Sequence, residues 1–271
     1  MATVGAVLEP EVRESVSQLV DVFRFCAQRA RRGATHSEAG LEINWMGTLW
    51  PFGNQAVIST PVADRADLEK RILKVTEFFR TKPQAGLLAV CESLLPGDLR
   101  PVAAEICASH GFQPVTMLTS MATEALNPAV RRLPALEFRQ TTERTVAEAL
   151  AILNARAYDV PFEWAQDLVD RADIWGDERL LAFVGYVNGR PASCAATFVI
   201  DRRLYVGFVA TAPESQGKGY AEAVTRHSLE QAQQRFGVHR TVLHATAAGH
   251  PIYLRMGYHD VARFTMYSPP E

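Results

Sequence analysis

Apolar residues return at every third or fourth position over some stretches of the chain and at every second over others, which divides it into helices and strands. Residues 9 to 32 read as a helix. The strand candidates LEINWMGTLW and NQAVIST follow, around a turn at Pro51 to Asn54. DRADLEKRILKVTEFFR carries Leu68, Ile72, Val75 and Phe79 at helical spacing, and GLLAVCE reads as a strand. LRPVAAEICASHGF is a helix with proline in its first turn and Gly111 at its end, and FQPVTMLTSMA is the next strand. Beyond a polar, proline-punctuated stretch from Asn127 to Pro134 come strand LEFRQ, helices ERTVAEALAILNARAY and FEWAQDLVDRA, and strands ERLLAFVGYVNGR, ASCAATFVID and LYVGFVATA. Asn188-Gly189 joins two alternating runs, a strong hairpin signal. A helix after SQGKG, strand RTVLHATA, short helix PIYLRM and strand YHDVARFTMY complete the pattern.

The 271 residues exceed the roughly 100 to 200 of one domain, and the polar stretch near residue 130 is the natural boundary. ICASHGFQPVTMLTSMA and IYLRMGYHDVARFTMYS both run helix, glycine, aromatic, strand, which aligns Gly111 with Gly257, Phe112 with Tyr258 and Val115 with Val261. That echo points to a tandem duplication of one α/β unit.

Apolar residues at 48% against 21% charged describe a globular chain, not a disordered one. No apolar run approaches the ~18 residues of a membrane span, and MATVGAVLEPEVRE has no basic segment followed by a long apolar one, so no membrane association, no secretory leader and a cytoplasmic location are expected. A net charge of -2 supplies no field for gathering nucleic acid. The basic cluster Arg29, Arg31 and Arg32 suits a helix C-terminus before Gly33. Cys26, Cys91, Cys107 and Cys194 lack metal-site spacing and read as reduced thiols in or near the cores.

The candidate chemistry sits in SQGKGYAEAV, where a buried strand gives way to a helix across two glycines. A helix N-terminus exposes unpaired N–H groups and partial positive charge, and glycine lets an anion approach the backbone. The amides of Gly217, Lys218, Gly219, Tyr220 and Ala221 are placed to converge on a pyrophosphate, with the Lys218 charge added. A P-loop wants GxxxxGK followed by Ser or Thr, and here Gly219 is followed by Tyr220; a dinucleotide fingerprint needs a third small residue where Glu222 stands.

Gln216, Gly219 and Ala221 instead resemble the Gln/Arg-x-x-Gly-x-Gly/Ala signature of the GCN5-related N-acetyltransferase superfamily, and HATAAGHPIYLRMGY resembles its second motif, a strand end leading into a short helix with a tyrosine and then a glycine-aromatic pair. The resemblance implies an α/β (α+β) fold with a mixed, mostly antiparallel central sheet flanked by helices. It implies two tandem domains, residues 1–130 a degenerate, non-catalytic copy and residues 131–271 the acetyltransferase.

By the same resemblance, the cofactor is acetyl-coenzyme A and the reaction is direct acetyl transfer to the amine of a small molecule or peptide. Val209, Ala210 and Thr211 would hold the pantetheine arm by their backbone, with an N–H of Val209 or a neighbour polarising the thioester. Tyr253, four residues before Gly257, takes the general-acid position, and Thr246 stands where asparagine often contacts the cofactor. The strand before the loop lacks the glutamate base that many members carry. His244, on the same strand face as Thr246, is the candidate base, with Glu163, Asp159 and a relayed water as rivals. The acceptor is expected over YDVPFEWAQ, walled by Tyr158, Phe162 and Trp164, with Trp175 farther out. A second copy of the chain is a candidate partner. A non-catalytic coenzyme A binder, O-acyl transfer and a longer acyl donor are the alternative readings.

In the first half Cys107 falls where Tyr253 stands in the second, and STPVADRADLE brings Asp64 and Asp67, which repel phosphate, in place of glycine. That half is expected to bind no cofactor and to cover or shape the active one.

Overall fold

The computed structural model describes residues 8–269; residues 1–7, the first half of the stretch read above for a leader, lie outside them, as do 270 and 271. The first half runs α1 (Pro10–Arg29), β1 (Ala34–Glu38), β2 (Leu41–Trp45), β3 (Asn54–Ile58), α2 (Arg65–Arg80), β4 (Leu87–Cys91), α3 (Ala103–Ser109) and β5 (Gln113–Thr123). The second runs β6 (Glu137–Gln140), α4 (Arg144–Tyr158), α5 (Phe162–Arg171), β7 (Leu180–Val187), β8 (Arg190–Ile200), β9 (Arg203–Thr211), α6 (Tyr220–Phe236), β10 (Thr241–Ala245), α7 (His250–Met256) and β11 (His259–Ser268).

All eleven strands form one sheet in the order β1-β2-β3-β4-β11-β5-β10-β9-β8-β7-β6. Only β3 with β4 and β9 with β10 pair in parallel; the other neighbours are antiparallel, as expected. The halves do not lie side by side: β11 of the second half pairs with β4 of the first, and β5 of the first pairs with β10 of the second. At the centre β5 and β11 pair antiparallel with Leu118 opposite Phe264, Met117 opposite Thr265 and Thr119 opposite Arg263. Leu118 and Phe264 are 146 positions apart (264 minus 118), the same offset as Gly111 and Gly257 in the sequence echo (257 minus 111). A local two-fold therefore passes through that residue pair, and it relates β4 to β10 and α3 to α7. Each half completes its sheet with the other's last strand.

Three cores follow from the amphipathic elements. Val12, Val16 and Leu19 of α1 join Leu68, Ile72 and Val75 of α2 and the strands β2 to β4. Farther along α1, Phe25, Cys26 and Ala27 pack with α4, α5 and the Leu180, Ala182 and Val184 face of β7. The opposite face of β7, Leu181 and Phe183, meets Val224, Leu229 and Ala232 of α6 and Tyr253 and Met256 of α7. Thus α1 bridges the halves on one face of the sheet, helped by Arg29, whose guanidinium pairs with Asp177 at 2.7 Å. The predicted hairpin is present, with Asn188 at φ +50° and Gly189 at φ +73°. All four cysteines are buried, free thiols, and burial pushes Cys26 up to about 12. The strand ATHSE is absent from the pattern reading because β1 is an edge strand with no fully buried residue, so its side chains carry no alternation.

Candidate functional site

The site grows from a place where two strands part. Strands β9 and β10 pair only over Leu204 to Val206 and Thr241 to Leu243, after which β9 runs on to Thr211 held by β8 alone. The cause is a bulge. Gly207 faces Ala196 and Ala210 faces Cys194, so Phe208 and Val209 together oppose Ala195, and Phe208 adopts φ +51°. A left-handed phenylalanine costs about 1 to 3 kcal/mol and persists only where its surroundings hold it. Here the Cys194 thiol donates to the Phe208 carbonyl at 3.3 Å, the Tyr158 hydroxyl donates to the Val209 carbonyl at 3.2 Å, and the Phe208 ring packs against Trp175.

The parting opens a cleft of about 410 Å³. Its walls are the bulged end of β9, the loop before α6, the end of β10 and α7. Val209, Ala210, Thr211, Gln216, Gly217, Gly219, Tyr220, Ala221, Thr246 and Tyr253 all line it, so residues expected together from sequence are together in space. Gly217 and Gly219 adopt φ +74° and +84°, a region that L side chains rarely adopt. Because Gly219 is the N-cap in this conformation, no side chain caps α6, and its first N–H groups remain available to an anion. A Cβ on Gly217 would meet nothing within 4 Å, so the space over the loop is open. The buried Thr225 hydroxyl, one turn inside α6 and also lining the cleft, has no hydrogen-bond partner among the described residues. An open cradle of amides and an orphaned hydroxyl fit a polar, anionic ligand such as coenzyme A.

At the other end, Tyr253 is 6% exposed, and its hydroxyl bonds to no described group. Burial raises its pKa above the usual phenol value, so it is protonated at neutral pH. Thr246 turns β10 into α7: its carbonyl accepts from Gly249 and His250 N–H, both at 3.0 Å.

Three expected placements are corrected. Lys218 does not face the cleft; its ammonium folds back to the Glu214 carbonyl at 2.9 Å. His244 lines the cleft, but its ring is held at both nitrogens, Nε2 by the Ser15 hydroxyl at 3.2 Å and Nδ1 by the Tyr205 hydroxyl at 3.1 Å. Burial pushes its pKa down to about 3, which leaves it neutral and too weak a base to deprotonate an amine near pH 7. Of the acceptor residues only Tyr158 reaches the cleft; Phe162, Glu163 and Trp164 open α5 beside it without lining it. Phe162 and Glu163 are exposed, and Trp164 packs against the core below.

Two contributors escaped the sequence reading. Arg131, from the stretch read as a linker, lines the cleft beside Gly219. From the first half, Trp50 packs edge-on to Tyr158 with ring centroids 6.1 Å apart, and the Leu49 N–H donates to Asp167 of α5 at 2.8 Å. Both depend on chain segments meeting at long range, for which the local pattern carries no signal.

With this geometry in hand, residues 147–258 match the model of the acetyltransferase (GNAT) family. Those residues form a GNAT domain. Over the whole chain the fold is similar to that of a GCN5-related N-acetyltransferase from Kribbella flavida, at 19% identity and a TM-score of 0.67, covering 99% of this chain and 97% of that one. It is also similar to a functionally unknown conserved protein from Staphylococcus epidermidis, at 14% identity and a TM-score of 0.64 over 87% and 93%. A tandem GNAT protein from the clavulanic acid biosynthesis pathway matches at 16% identity and a TM-score of 0.51, covering 94% of each chain. No curated protein matches the chain in sequence. Among the described residues no helix is long and apolar enough to cross a membrane.

Proposed function

We propose that the GNAT domain moves an acetyl group from acetyl-coenzyme A directly to an amine. The observation that carries this reading is the parted β9 and β10, with uncapped amides of α6 at one end of the opening and the unpartnered Tyr253 hydroxyl in its wall. When bound, acetyl-coenzyme A supplies the activated thioester. The amides from Gly217 to Ala221 and the Thr225 hydroxyl are the groups that would hold its polar part. Along Val209 to Thr211 β9 has no strand beside it on the side that β10 has left, and the pantetheine arm would pair there as an added strand would. The pinned bulge at Phe208 and Val209 fixes the backbone donors next to the reacting carbonyl, and such positioning lowers a barrier by several kcal/mol.

Tyr253 keeps its proton at neutral pH and delivers it to the departing thiolate. With His244 neutral and fully hydrogen-bonded, solvent takes the amine's proton. The amine enters past Tyr158, which Trp50 of the first half backs from outside the cleft; that half acts as a non-catalytic buttress. Tyr253→Phe tests the assignment. Thiol release from acetyl-coenzyme A with an amine panel is expected to fall about a hundredfold, a typical general-acid contribution. Coenzyme A affinity measured by calorimetry stays within twofold. Equal turnover in the variant would remove Tyr253 from the chemistry, and absence of thiol release by wild type with every amine would leave a coenzyme A binder.

A further inference from the structure

The stretch between the halves is tied to the GNAT domain at both ends. The Asn127 N–H donates to the Met256 carbonyl at the end of α7 at 2.8 Å, and Arg226 of α6 donates to the Asn127 carbonyl at 2.8 Å. Farther on, Leu136 fills the space over Gly185, where a Cβ would come within 2.9 Å of its Cδ1. Between these anchors the chain crosses the start of α6. A Cβ on Gly219 would lie 3.1 Å from Nη2 and 3.5 Å from Cζ of Arg131, and 3.5 Å from Cδ of Pro134. Glycine at 219 therefore does two things: it takes the left-handed conformation, and it lets a guanidinium lie against the loop.

That guanidinium has no work in the fold. Among the described residues Arg131 makes no ion pair and no side-chain hydrogen bond, although it lines the cleft. Two other basic groups nearby are occupied. Lys218 bonds to the Glu214 carbonyl, and Arg255 donates to the Pro251 carbonyl of its own helix at 2.9 Å. Glu222, the carboxylate lining the cleft, is paired with Arg226 at 2.9 Å. An unpaired planar cation thus faces a row of uncapped amides, and a guanidinium binds phosphate oxygens in a two-pronged geometry that an ammonium does not reproduce.

We propose that Arg131 is the cation that clamps the diphosphate of coenzyme A, closing the cradle of α6 amides from the outside. The segment joining the halves is then part of the cofactor site and not a spacer. The proposal rests on the reading of the cleft as a coenzyme A site.

Calorimetry on the full chain tests it, with coenzyme A and dephospho-coenzyme A titrated into wild type, Arg131→Ala, Arg131→Lys and Arg132→Ala. Loss of a charge-assisted clamp is expected to raise Kd about tenfold or more in Arg131→Ala, equally for both titrants, because both carry the diphosphate. Arg131→Lys recovers part of the loss, and Arg132→Ala, which removes the same net charge outside the cleft, stays within twofold. Thermal midpoints match throughout, since Arg131 is exposed. The clamp is refuted if Arg131→Ala binds like wild type, if the loss vanishes with dephospho-coenzyme A, or if Arg132→Ala loses as much. Refutation with an intact wild-type titration leaves the cofactor reading standing; a wild type that binds neither titrant overturns both.

Discussion

Helices α2 and α6 begin at corresponding points of the two halves, each after a strand that runs parallel to its neighbour, yet the two starts are finished in opposite ways. At α2 the Asp64 side chain accepts from the Asp67 N–H at 2.9 Å, and Asp67 accepts from the Ala63 N–H at 3.0 Å. Arg71, itself buried, then stitches the loop shut by donating to the carbonyls of Gly40, Thr60 and Pro61. Beyond the end of β3 the Val62 N–H donates to the Leu94 carbonyl at 2.8 Å, and both side chains enter the core where the second half has its cleft. At α6 the cap is a glycine, the amides are bare and the strands stay apart. Where Tyr253 presents a hydroxyl to that cleft, Cys107 is a buried thiol pushed up to about 11. One architecture thus gives a sealed unit or an open one through a handful of residues at a single helix start.

The strongest way to break this contrast is to close the open side. Gly219→Val forces a branched side chain into a left-handed position and against Arg131. Coenzyme A affinity is expected to fall a hundredfold or more, with the circular dichroism spectrum retained; normal binding would show that the glycine loop is not the anchor.

A second, smaller test uses a group that the first half lacks. Ala89 pairs with Met266 as His244 pairs with Ser120, so alanine occupies the matching place. Burial pushes His244 down to about 3 from an ordinary value near 6.5. Between those values the unfolded chain takes up a proton that the folded one refuses. Stability present above pH 6.5 is therefore lost as the pH falls, by about 1.4 kcal/mol per unit from this residue. Urea unfolding at pH 8 and pH 5 is expected to show wild type losing about 2 kcal/mol more than His244→Gln over that interval. Parallel losses would place the ring nitrogens in contact with water.

The mildest test addresses the sealed side. Asp64→Ala removes a helix cap and is expected to cost about 1 kcal/mol in urea unfolding. Coenzyme A titrations of that variant should match wild type, because the bare end of α2 remains filled by Arg71. New binding at a second site would show that the carboxylate alone kept the first half shut.

Local chemistry made much of this legible. The alternating strands, the Asn188-Gly189 turn, the stripe of α6 and the loop with Gly217 and Gly219 all follow from neighbours in the chain. Tyr253 was reachable because its short helix has its own proline start and glycine end. What escaped depends on partners far away in sequence. The Lys218 charge reads as a phosphate ligand until the Glu214 carbonyl is seen beside it, and His244 reads as a base until Ser15 of α1 closes over it. Arg131 in a polar, proline-flanked stretch looks like connector, since nothing nearby in sequence reveals that it lands on Gly219. The repeat hinted at two units, but their interleaving is a property of strand pairing across 146 positions and leaves no local trace.

That interleaving sets the order of events during synthesis. When the first 130 residues have left the ribosome, β4 and β5 have no strand to lie between them, because β11 comes from residues His259–Ser268. The early product must wait with two raw hydrogen-bonding edges until β11 is made and threaded into the gap. One late strand beside the middle of the sheet thus completes the pairing of both units together.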